Sequence, residues 1–437
     1  MSETSHILSP DTQAVLLLCG SFAVKSNSGV KSLTVTQYNR IATWLRDQQL
    51  RPSDLLGEKG IRLLRQSIDR PKEAEEALLL LERGVAMALA IENWANQGIW
   101  VLSRSDMDYP KRFKDRLKQN SPPILYGAGK KELLTRGGLA MIGSRRADEK
   151  ALDFARKTAQ RCALENIQII SGGAKGVDQE AMLAALGQGG GVVGIFSDNL
   201  GKATVSGKYR QAIRDGQLVL ISACAPEAHF QIGNAMARNK LIYALSDWAL
   251  AVSTETEKGG TWAGAKENLK YGWVPLLVRD GADVTSSNKR LIKEGGHSLD
   301  ETKVLQYAGG LKDLLRQSSI QKELEVAEKS ESGAFIRQEA SASSQERSYL
   351  HGSAKTGSHQ ITADYFWDHQ VWPAISAFLR SKGKLTVNQL VEDLEIEKAQ
   401  AKAWLKRATS EQKVKKLSRP ERYVTPEHGQ RSLLDEQ

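Results

Sequence analysis

The spacing of apolar residues divides the chain into segments of different kinds. In residues 8–110 apolar side chains recur every three or four positions, as along one face of an α-helix, and the only short strand-like run is IWVL. Three prolines, Pro110, Pro122 and Pro123, then interrupt the pattern. The first segment is therefore predicted to be a small helical domain.

From Leu139 onward the pattern changes to short continuous apolar runs separated by amphipathic helical stretches. The runs are LAMIG, IQIIS, VVGIF, LVLIS, WALAVS and VPLLV. Uninterrupted apolar strands are buried on both faces, which is typical of a parallel sheet covered by helices. The central part is therefore predicted to be an α/β domain with a doubly wound, mostly parallel sheet.

Beyond Gln317 the periodicity fades into a stretch rich in Ser, Glu, Gln, Gly and Ala, which predicts a flexible linker. From Tyr365 the pattern predicts three short helices and a hairpin, the arrangement of a winged-helix domain. The predicted order is a helical domain at 1–105, the α/β domain at 106–316, the linker at 317–363 and the winged-helix-like domain at 364–437.

The composition favours a folded protein with an anionic partner. At about 150 residues per domain the 437 residues correspond to about three domains, and 41% of them are hydrophobic, enough for a core in each. The 61 Lys and Arg residues exceed the 51 Asp and Glu residues. The formal net charge of +10 favours a polyanion such as nucleic acid as the partner.

The cysteines and the early apolar stretch argue against secretion and membrane insertion. Only Cys19, Cys162 and Cys224 occur, and their spacing matches neither a disulfide framework nor a zinc site, so we expect reduced thiols and no bound metal. The stretch Ala14–Val24 has about half the length that a membrane span needs. We therefore expect a cytoplasmic protein without membrane contact.

Loops rich in glycine and basic residues follow four of the six apolar runs. A doubly wound sheet binds its ligand beyond the carboxyl ends of the strands, so these loops are predicted to meet at one edge. Glycine lets the backbone approach an anion, and a basic side chain pairs with a phosphate. The candidate phosphate-binding residues are Gly143, Ser144, Arg145 and Arg146 after the first run, Ser171, Gly172, Gly173, Lys175 and Gly176 after the second, Arg238, Asn239 and Lys240 after the fourth, and Gly259, Gly260 and Thr261 after the fifth.

These loops and one upstream segment together resemble the DprA/Smf family. The resemblance rests on a GSR turn at Gly143, the SGGAKGVD loop at 171–178, the ARNKLIYALSD stretch at 237–247 and the DYP…SPPILYG segment from Asp108. It implies a Rossmann-like domain, preceded by a SAM- or HhH-like helical domain, that binds single-stranded DNA, forms a homodimer and passes the strand to the RecA recombinase. No cofactor is implied.

Three positions depart from the family's pattern and indicate a divergent member. The family's Ala-His pair is Ala-Met here, ending at Met182. Its S-G-[ST] loop is KGGT from Lys258, and its F-P before R-N is Ala-Met, ending at Met236.

Structural roles are open for several of these residues. Asp178, near a predicted helix start, is either an N-terminal cap or a ligand contact. Arg238 is either a phosphate contact or one half of a structural ion pair. Trp262 either packs in the core or stacks on a base, and we do not include it among the site residues.

The C-terminal module carries a basic stripe on its predicted third helix. Lys398, Lys402 and Lys406 recur every four residues and share one face, with Arg407 beside them. Like charges at this spacing destabilise a helix, so a polyanion that neutralises them is a sensible reason for the stripe. DNA contact and protein contact, including self-association, both remain open.

Two other functions compete with DNA binding. No G-x-x-x-x-G-K-[ST] or G-x-G-x-x-G fingerprint occurs in these loops and the histidines do not cluster, so we expect no enzyme. A nucleotide-releasing hydrolase of the LOG type takes its catalytic acid from a P-G-G-x-G-T-x-x-E motif. Here Gly259-Gly260-Thr261 is followed by Trp-Ala-Gly, and Glu267 lies one helical turn too far. A DNA- or nucleotide-sensing antitoxin or regulatory subunit of a phage-defence system, restraining a toxin encoded nearby, is the alternative.

Overall fold

The computed structural model describes residues 8–22, 29–67, 71–255, 259–319, 385–394, 398–418 and 421–424, together with residues 372, 375, 376 and 379. The chain divides into two compact units, Met1–Ala342 and Ser343–Gln437.

The first unit begins with a group of helices, as the apolar spacing predicted. Ser9 caps the first helix by accepting a hydrogen bond from the N–H of Thr12 at 3.2 Å. Asp11, almost fully buried, accepts from the N–H of Ser53 at 3.0 Å and pairs with Arg51, which joins the first helix to the following 3-10 turn. The helices are α1 at Pro10–Cys19, α2 at Val35–Asp47, α3 at Glu58–Ser67, α4 at Pro71–Leu81 and α5 at Gly84–Asn96.

A nine-stranded sheet forms the centre of this unit. Its order is β1-β2-β6-β5-β4-β3-β7-β8-β9, where β3 to β9 are mutually parallel and β2 is antiparallel to both β1 and β6. The Rossmann-like, mostly parallel architecture is thus confirmed. The strands are β1 at Ile99–Ser103, β2 at Ile124–Gly129, β3 at Leu139–Gly143, β4 at Ile169–Ser171, β5 at Val192–Phe196, β6 at Leu218–Ser222, β7 at Trp248–Ser253, β8 at Leu276–Asp280 and β9 at His297–Asp300.

The first two strands of the sheet, β1 and β2, are connected by a segment that contains the DYP and SPP motifs. Strand β1 lies inside the interval 1–105 that the sequence assigned to the helical domain, yet it pairs with β2 in the sheet. The buried hydroxyl of Tyr109 donates to the carbonyl of Pro122 at 2.8 Å, so these two motifs brace each other.

Helices cover both faces of the sheet. Along β3, Leu139 and Met141 pack into one apolar cluster and Ala140 and Ile142 into the other, because successive strand residues point to opposite faces. The helices are α6 at Lys111–Leu117, α7 at Glu149–Leu164, α8 at Val177–Gly187, α9 at Leu200–Val205, α10 at Arg210–Arg214, α11 at Ile232–Leu245, α12 at Gly260–Tyr271, α13 at Ser286–Lys293, α14 at Glu301–Gln306 and α15 at 311–319.

The strand order reverses beside β3. From β3 the chain proceeds outward through β4, β5 and β6 on one side and then through β7, β8 and β9 on the other. The loops that leave the carboxyl ends of β3 and β7 therefore diverge and leave a crevice between them. This is the edge at which the sequence placed its candidate residues.

The second unit contains the hairpin and two of the three helices predicted from Tyr365 onward, and most of the first predicted helix lies outside the described residues. Ile375, Leu379 and Leu405 form its core, and Leu385 pairs with Tyr423 in an isolated bridge to the hairpin. Its elements are α16 at Val387–Leu394, α17 at Lys398–Ser410, β10 at Lys415–Ser418 and β11 at Glu421–Val424.

The predicted linker at 317–363 begins within the last turn of α15, and from residue 320 onward it lies outside the described residues. Among the helices that the structure describes, none has the length and apolar character needed to cross a bilayer.

Candidate functional site

Two adjoining cavities open at the carboxyl edge of the sheet. The larger, about 530 Å³, lies where the strand order reverses, and we call it the crevice. The smaller, about 430 Å³, lies over the loops after β4 and β5, and we call it the second cavity. The predicted residues that line one or both are Gly143, Ser144, Arg145, Arg146, Gly172, Gly173, Lys175, Arg238, Asn239, Gly259, Gly260 and Thr261.

The turn after β3 is held by a carboxylate. The N–H of Ser144 donates to the carbonyl of Ser253 at 2.8 Å, and its hydroxyl donates to Glu255. The guanidinium of Arg146 lies 3.2 Å from the other carboxylate oxygen of Glu255. Hydrogen bonds from Ser144 and Arg146 lower the pKa of Glu255, so this acid is ionised and partly neutralises Arg146.

Arg145 and Lys175 are two exposed cations on the loops after β3 and β4. Neither forms an ion pair with any residue that the structure describes. The Arg145 guanidinium instead lies over the ring of Phe230, 5.3 Å from its centroid. Both cations line the second cavity, and Arg145 also lines the crevice.

The loop after β5 also belongs to the candidate site, although none of its residues was predicted from the sequence. Ser197, Asp198 and Asn199 line the second cavity together with the exposed Lys202 from α9. The run VVGIF was identified as a strand, and the rule that ligands bind beyond strand ends pointed to this loop as it did to the others.

A buried carboxylate joins the turns beneath the two cavities. Burial raises the pKa of Asp178, an effect opposed by the charge of Arg238 and by backbone hydrogen bonds from Gly143, Gly172 and Ala174. The residue that caps α8 is Gly176, so Asp178 is not the N-terminal cap. The N–H groups of Gly143, Gly172 and Ala174 donate to the side chain of Asp178. This corrects the expectation that the N–H groups of Gly143 and Gly172 face a phosphate.

Arg238 is also buried, with 8% of its surface exposed. Its guanidinium donates to the carbonyl of Ile195, and burial lowers its pKa against the opposing charge of Asp178. Arg238 forms no ion pair within 4 Å of a carboxylate among the described residues, so the choice between a phosphate contact and a structural ion pair stays open. Its Nε, however, is buried without a hydrogen-bond partner among the described residues, and Arg238 lines both cavities.

Gly172 is where Arg238 packs against the backbone. A Cβ at this position would lie 1.8 Å from a guanidinium nitrogen of Arg238. We expect Gly172→Ala to displace this buried side chain and to lower the free energy of unfolding by about 2 kcal/mol, measured by urea denaturation. Gly187→Ala is the control, because its Cβ meets nothing and a helical Gly→Ala change stabilises. Equal effects of the two substitutions would contradict the packing.

Several predicted residues hold the loops in place. The hydroxyl of Ser171 is buried and donates to the carbonyl of Met141 at 2.6 Å. The amide of Asn239 donates to the carbonyl of Gly260 at 3.1 Å, and the hydroxyl of Thr261 donates to that of Gly143 at 3.0 Å. Side chains of α11 and α12 thus bind main-chain carbonyls at the start of α12 and at the end of β3, beside the crevice.

Two of the glycines are required by their backbone conformation. Gly173 has φ of +66°, and Gly176 has φ of +93° with the carbonyl of Ser144 2.4 Å from where a Cβ would be. Gly176 lines neither cavity and serves to turn the chain into α8.

Lys240 lies away from both cavities and faces α12. Burial lowers its pKa, opposed by the charge of Glu267, and burial likewise raises the pKa of Glu267. The expectation that Lys240 contacts a phosphate in the crevice is not supported, because Lys240 lines neither cavity. Within the described ranges Glu267 also lines neither cavity.

The basic stripe of the C-terminal unit is described in part. Lys406 is exposed, whereas Arg407 donates to Glu411 at 2.6 Å. The side chains of Lys398 and Lys402 lie outside the described residues. In the described part of the chain no group of His, Cys, Asp and Glu side chains is arranged to hold a metal ion.

The α/β part of the chain is similar to a known protein family and to solved structures. A family model described as DNA recombination-mediator protein A matches residues 100–308. No curated protein sequence matches the chain. Among solved structures, DNA processing protein A from Streptococcus pneumoniae is 18% identical with a TM-score of 0.50, over 69% of this chain and 98% of its own.

Two further structures are less similar. DNA processing protein A from Helicobacter pylori, whose single-stranded DNA binding mode is described as unique, is 25% identical with a TM-score of 0.42, over 50% of this chain and 96% of its own. The molybdenum cofactor carrier protein from Chlamydomonas reinhardtii is 20% identical with a TM-score of 0.29, over 41% and 99%. The first similarity supports the fold, and the lower TM-scores of these two carry no argument.

Proposed function

Residues 100–308 belong to the DNA recombination-mediator protein A family, and from this premise we propose that the chain binds single-stranded DNA across the crevice and the second cavity. The observation that carries the proposal is the pair of exposed cations without carboxylate partners among the described residues, Arg145 and Lys175, on neighbouring loops of one sheet edge. Lys202 adds a third cation on the same cavity. Three cations that line one cavity suit the repeating phosphates of a strand better than one isolated anion.

The lining of the crevice favours unpaired bases. Ile142, Ile232 and Met236 contribute apolar surface beside the cations, and apolar surface of this kind contacts base faces that a duplex keeps stacked inside. Two buried donors at the crevice, the Nε of Arg238 and the hydroxyl of Tyr243, have no partner among the described residues. Buried donors are normally satisfied, so ordered water or an acceptor atom of a ligand belongs there.

The role that follows is binding and transfer of DNA without chemistry on it. Glu267, the acid nearest in sequence to the position that a nucleotide-releasing hydrolase needs, lines neither cavity among the described residues. We infer that the protein protects single-stranded DNA in the cytoplasm, associates with a second copy and passes the strand to RecA. The resemblance to the DprA/Smf family supports these three points.

Competition for a labelled oligonucleotide tests the binding proposal. The full chain is incubated with fluorescent single-stranded DNA, and unlabelled single strand, duplex or free nucleotide is added while anisotropy is followed. We expect the single strand to compete at least about tenfold better than duplex, and the logarithm of affinity to fall with that of salt at a slope near −2 for three phosphates. Free nucleotide that competes as well as the strand would overturn the proposal. Duplex that binds only to the C-terminal unit would not displace the labelled single strand, so it would not count as a competitor in this experiment.

A further inference from the structure

A ridge of two side chains separates the crevice from the second cavity. Four residues line both cavities: Arg145, Ala174, Phe230 and Arg238. Arg238 is buried and Ala174 is small, so the exposed side chains of Arg145 and Phe230 form the divide between the two spaces. We call this pair the ridge.

Phe230 is an unusual side chain for such a place. It is 48% exposed, and the Arg145 guanidinium lies 5.3 Å from its ring centroid. Two more large apolar side chains nearby are exposed, Ile232 at 62% and Met236 at 39%. A cluster of exposed apolar side chains beside a concave site marks a binding surface, because contact of each side chain with water is unfavourable and a ligand would remove it.

We propose that Phe230 stacks on a base of the bound strand and that the ridge directs two consecutive bases into separate cavities. The proposal rests on the proposed function, since it specifies how the strand is held. It assigns the base contact to a residue in the segment between β6 and α11, outside the glycine-rich loops from which the DNA-binding prediction was made.

The chemistry of the ridge fits this role. Every base has an aromatic face that stacks on a phenyl ring whatever the sequence, and apolar side chains inserted between bases unstack them. A guanidinium stacked on the ring keeps its N–H groups free at the rim for a phosphate. The ring and the cation together therefore contact one nucleotide at both its base and its backbone.

The volumes of the crevice and of the second cavity are consistent with a strand whose consecutive bases enter different cavities. Cavities of about 530 and about 430 Å³ are each within the range of pockets that hold small ligands. A strand that keeps its bases stacked cannot fill both at once, because the ridge stands between them. Binding therefore selects flexible single strands and disfavours helical ones.

The test compares oligonucleotides with and without bases. For Phe230→Ala we expect affinity for an oligothymidylate to fall about tenfold, while affinity for an abasic oligonucleotide of the same length and the salt slope stay unchanged. A 2-aminopurine strand should change its fluorescence on binding to the wild-type chain more than on binding to this variant. Phe230→Trp should restore affinity. Tyr271→Ala is the control, because Tyr271 is an aromatic residue of matched exposure, 47%, that lines neither cavity.

Three other results would overturn the inference. If Phe230→Ala binds both oligonucleotides as the wild type does, no base stacks there. If it loses affinity for both equally, the ring only positions Arg145. If the wild-type chain binds neither oligonucleotide, the proposed function fails and the inference fails with it.

Discussion

Arg145→Glu combined with Lys175→Glu is expected to lower the affinity for single-stranded DNA at least about tenfold, and by more in low salt. Both cations are exposed, lack a carboxylate partner among the described residues and line the second cavity. Each phosphate contact with a single strand contributes about 0.7 to the slope of log affinity against log salt, so losing two should flatten it by about 1.4. Anisotropy titrations at several salt concentrations measure both quantities.

A matched control separates the site from the net charge of the chain. Lys130 and Arg136 are exposed at the opposite edge of the sheet, after β2 and before β3. Lys130→Glu combined with Arg136→Glu changes the net charge by the same amount as the site variant and should leave the affinity and the slope near their wild-type values. If the two double variants weaken binding equally, the protein attracts DNA only through its overall charge.

The sequence was sufficient to predict six of the nine strands, β3 to β8, because strands buried on both faces are continuous apolar runs. Each apolar run from LAMIG to VPLLV contains or overlaps one of these strands, since strands of a covered parallel sheet have no polar face. The strands β1, β2 and β9 were not predicted as part of the sheet. The location of the site followed from the same pattern, because parallel strands end at one edge. Arg145 and Lys175 were identified in this way.

Which polar residues interact with other protein groups and which stay exposed depends on contacts that cannot be read from sequence spacing. Asp178 and Arg238 are far apart along the chain, and only the fold shows that the charge of each opposes the effect of burial on the other. Arg146 is adjacent to Arg145 in the sequence, yet Arg146 forms an ion pair with Glu255. The charge of Glu267, on the neighbouring helix, likewise acts on Lys240.

Phe230 shows a different limit. The segment between β6 and α11 has no periodic pattern, and an aromatic residue in such a loop more often packs inward than stands exposed. Its exposure and its contact with Arg145 arise from the path of a loop that hydrophobic patterning does not determine. The side chains that we propose contact phosphates were therefore easier to predict than the one that we propose contacts a base.

Asp178→Ala is expected to lower the free energy of unfolding of the α/β part by about 3 kcal/mol. The substitution leaves the guanidinium of Arg238 buried without its counter-charge and leaves backbone donors of Gly143, Gly172 and Ala174 unsatisfied. Removing one of two opposite buried charges is costly, because the remaining charge stays away from water without the charge that opposed its burial. Urea denaturation followed by tryptophan fluorescence measures the change.

Two further variants test this explanation. Asp148→Ala removes a carboxylate that caps α7, where it accepts from the N–H of Ala151 at 2.7 Å, and should cost about 1 kcal/mol. Asp178→Ala combined with Arg238→Met should recover part of the lost stability, since no unpaired charge remains inside. If Asp178→Ala costs no more than Asp148→Ala, the turns are held by their backbone alone. The positions of Arg145 and Lys175 would then not depend on the buried carboxylate beneath them.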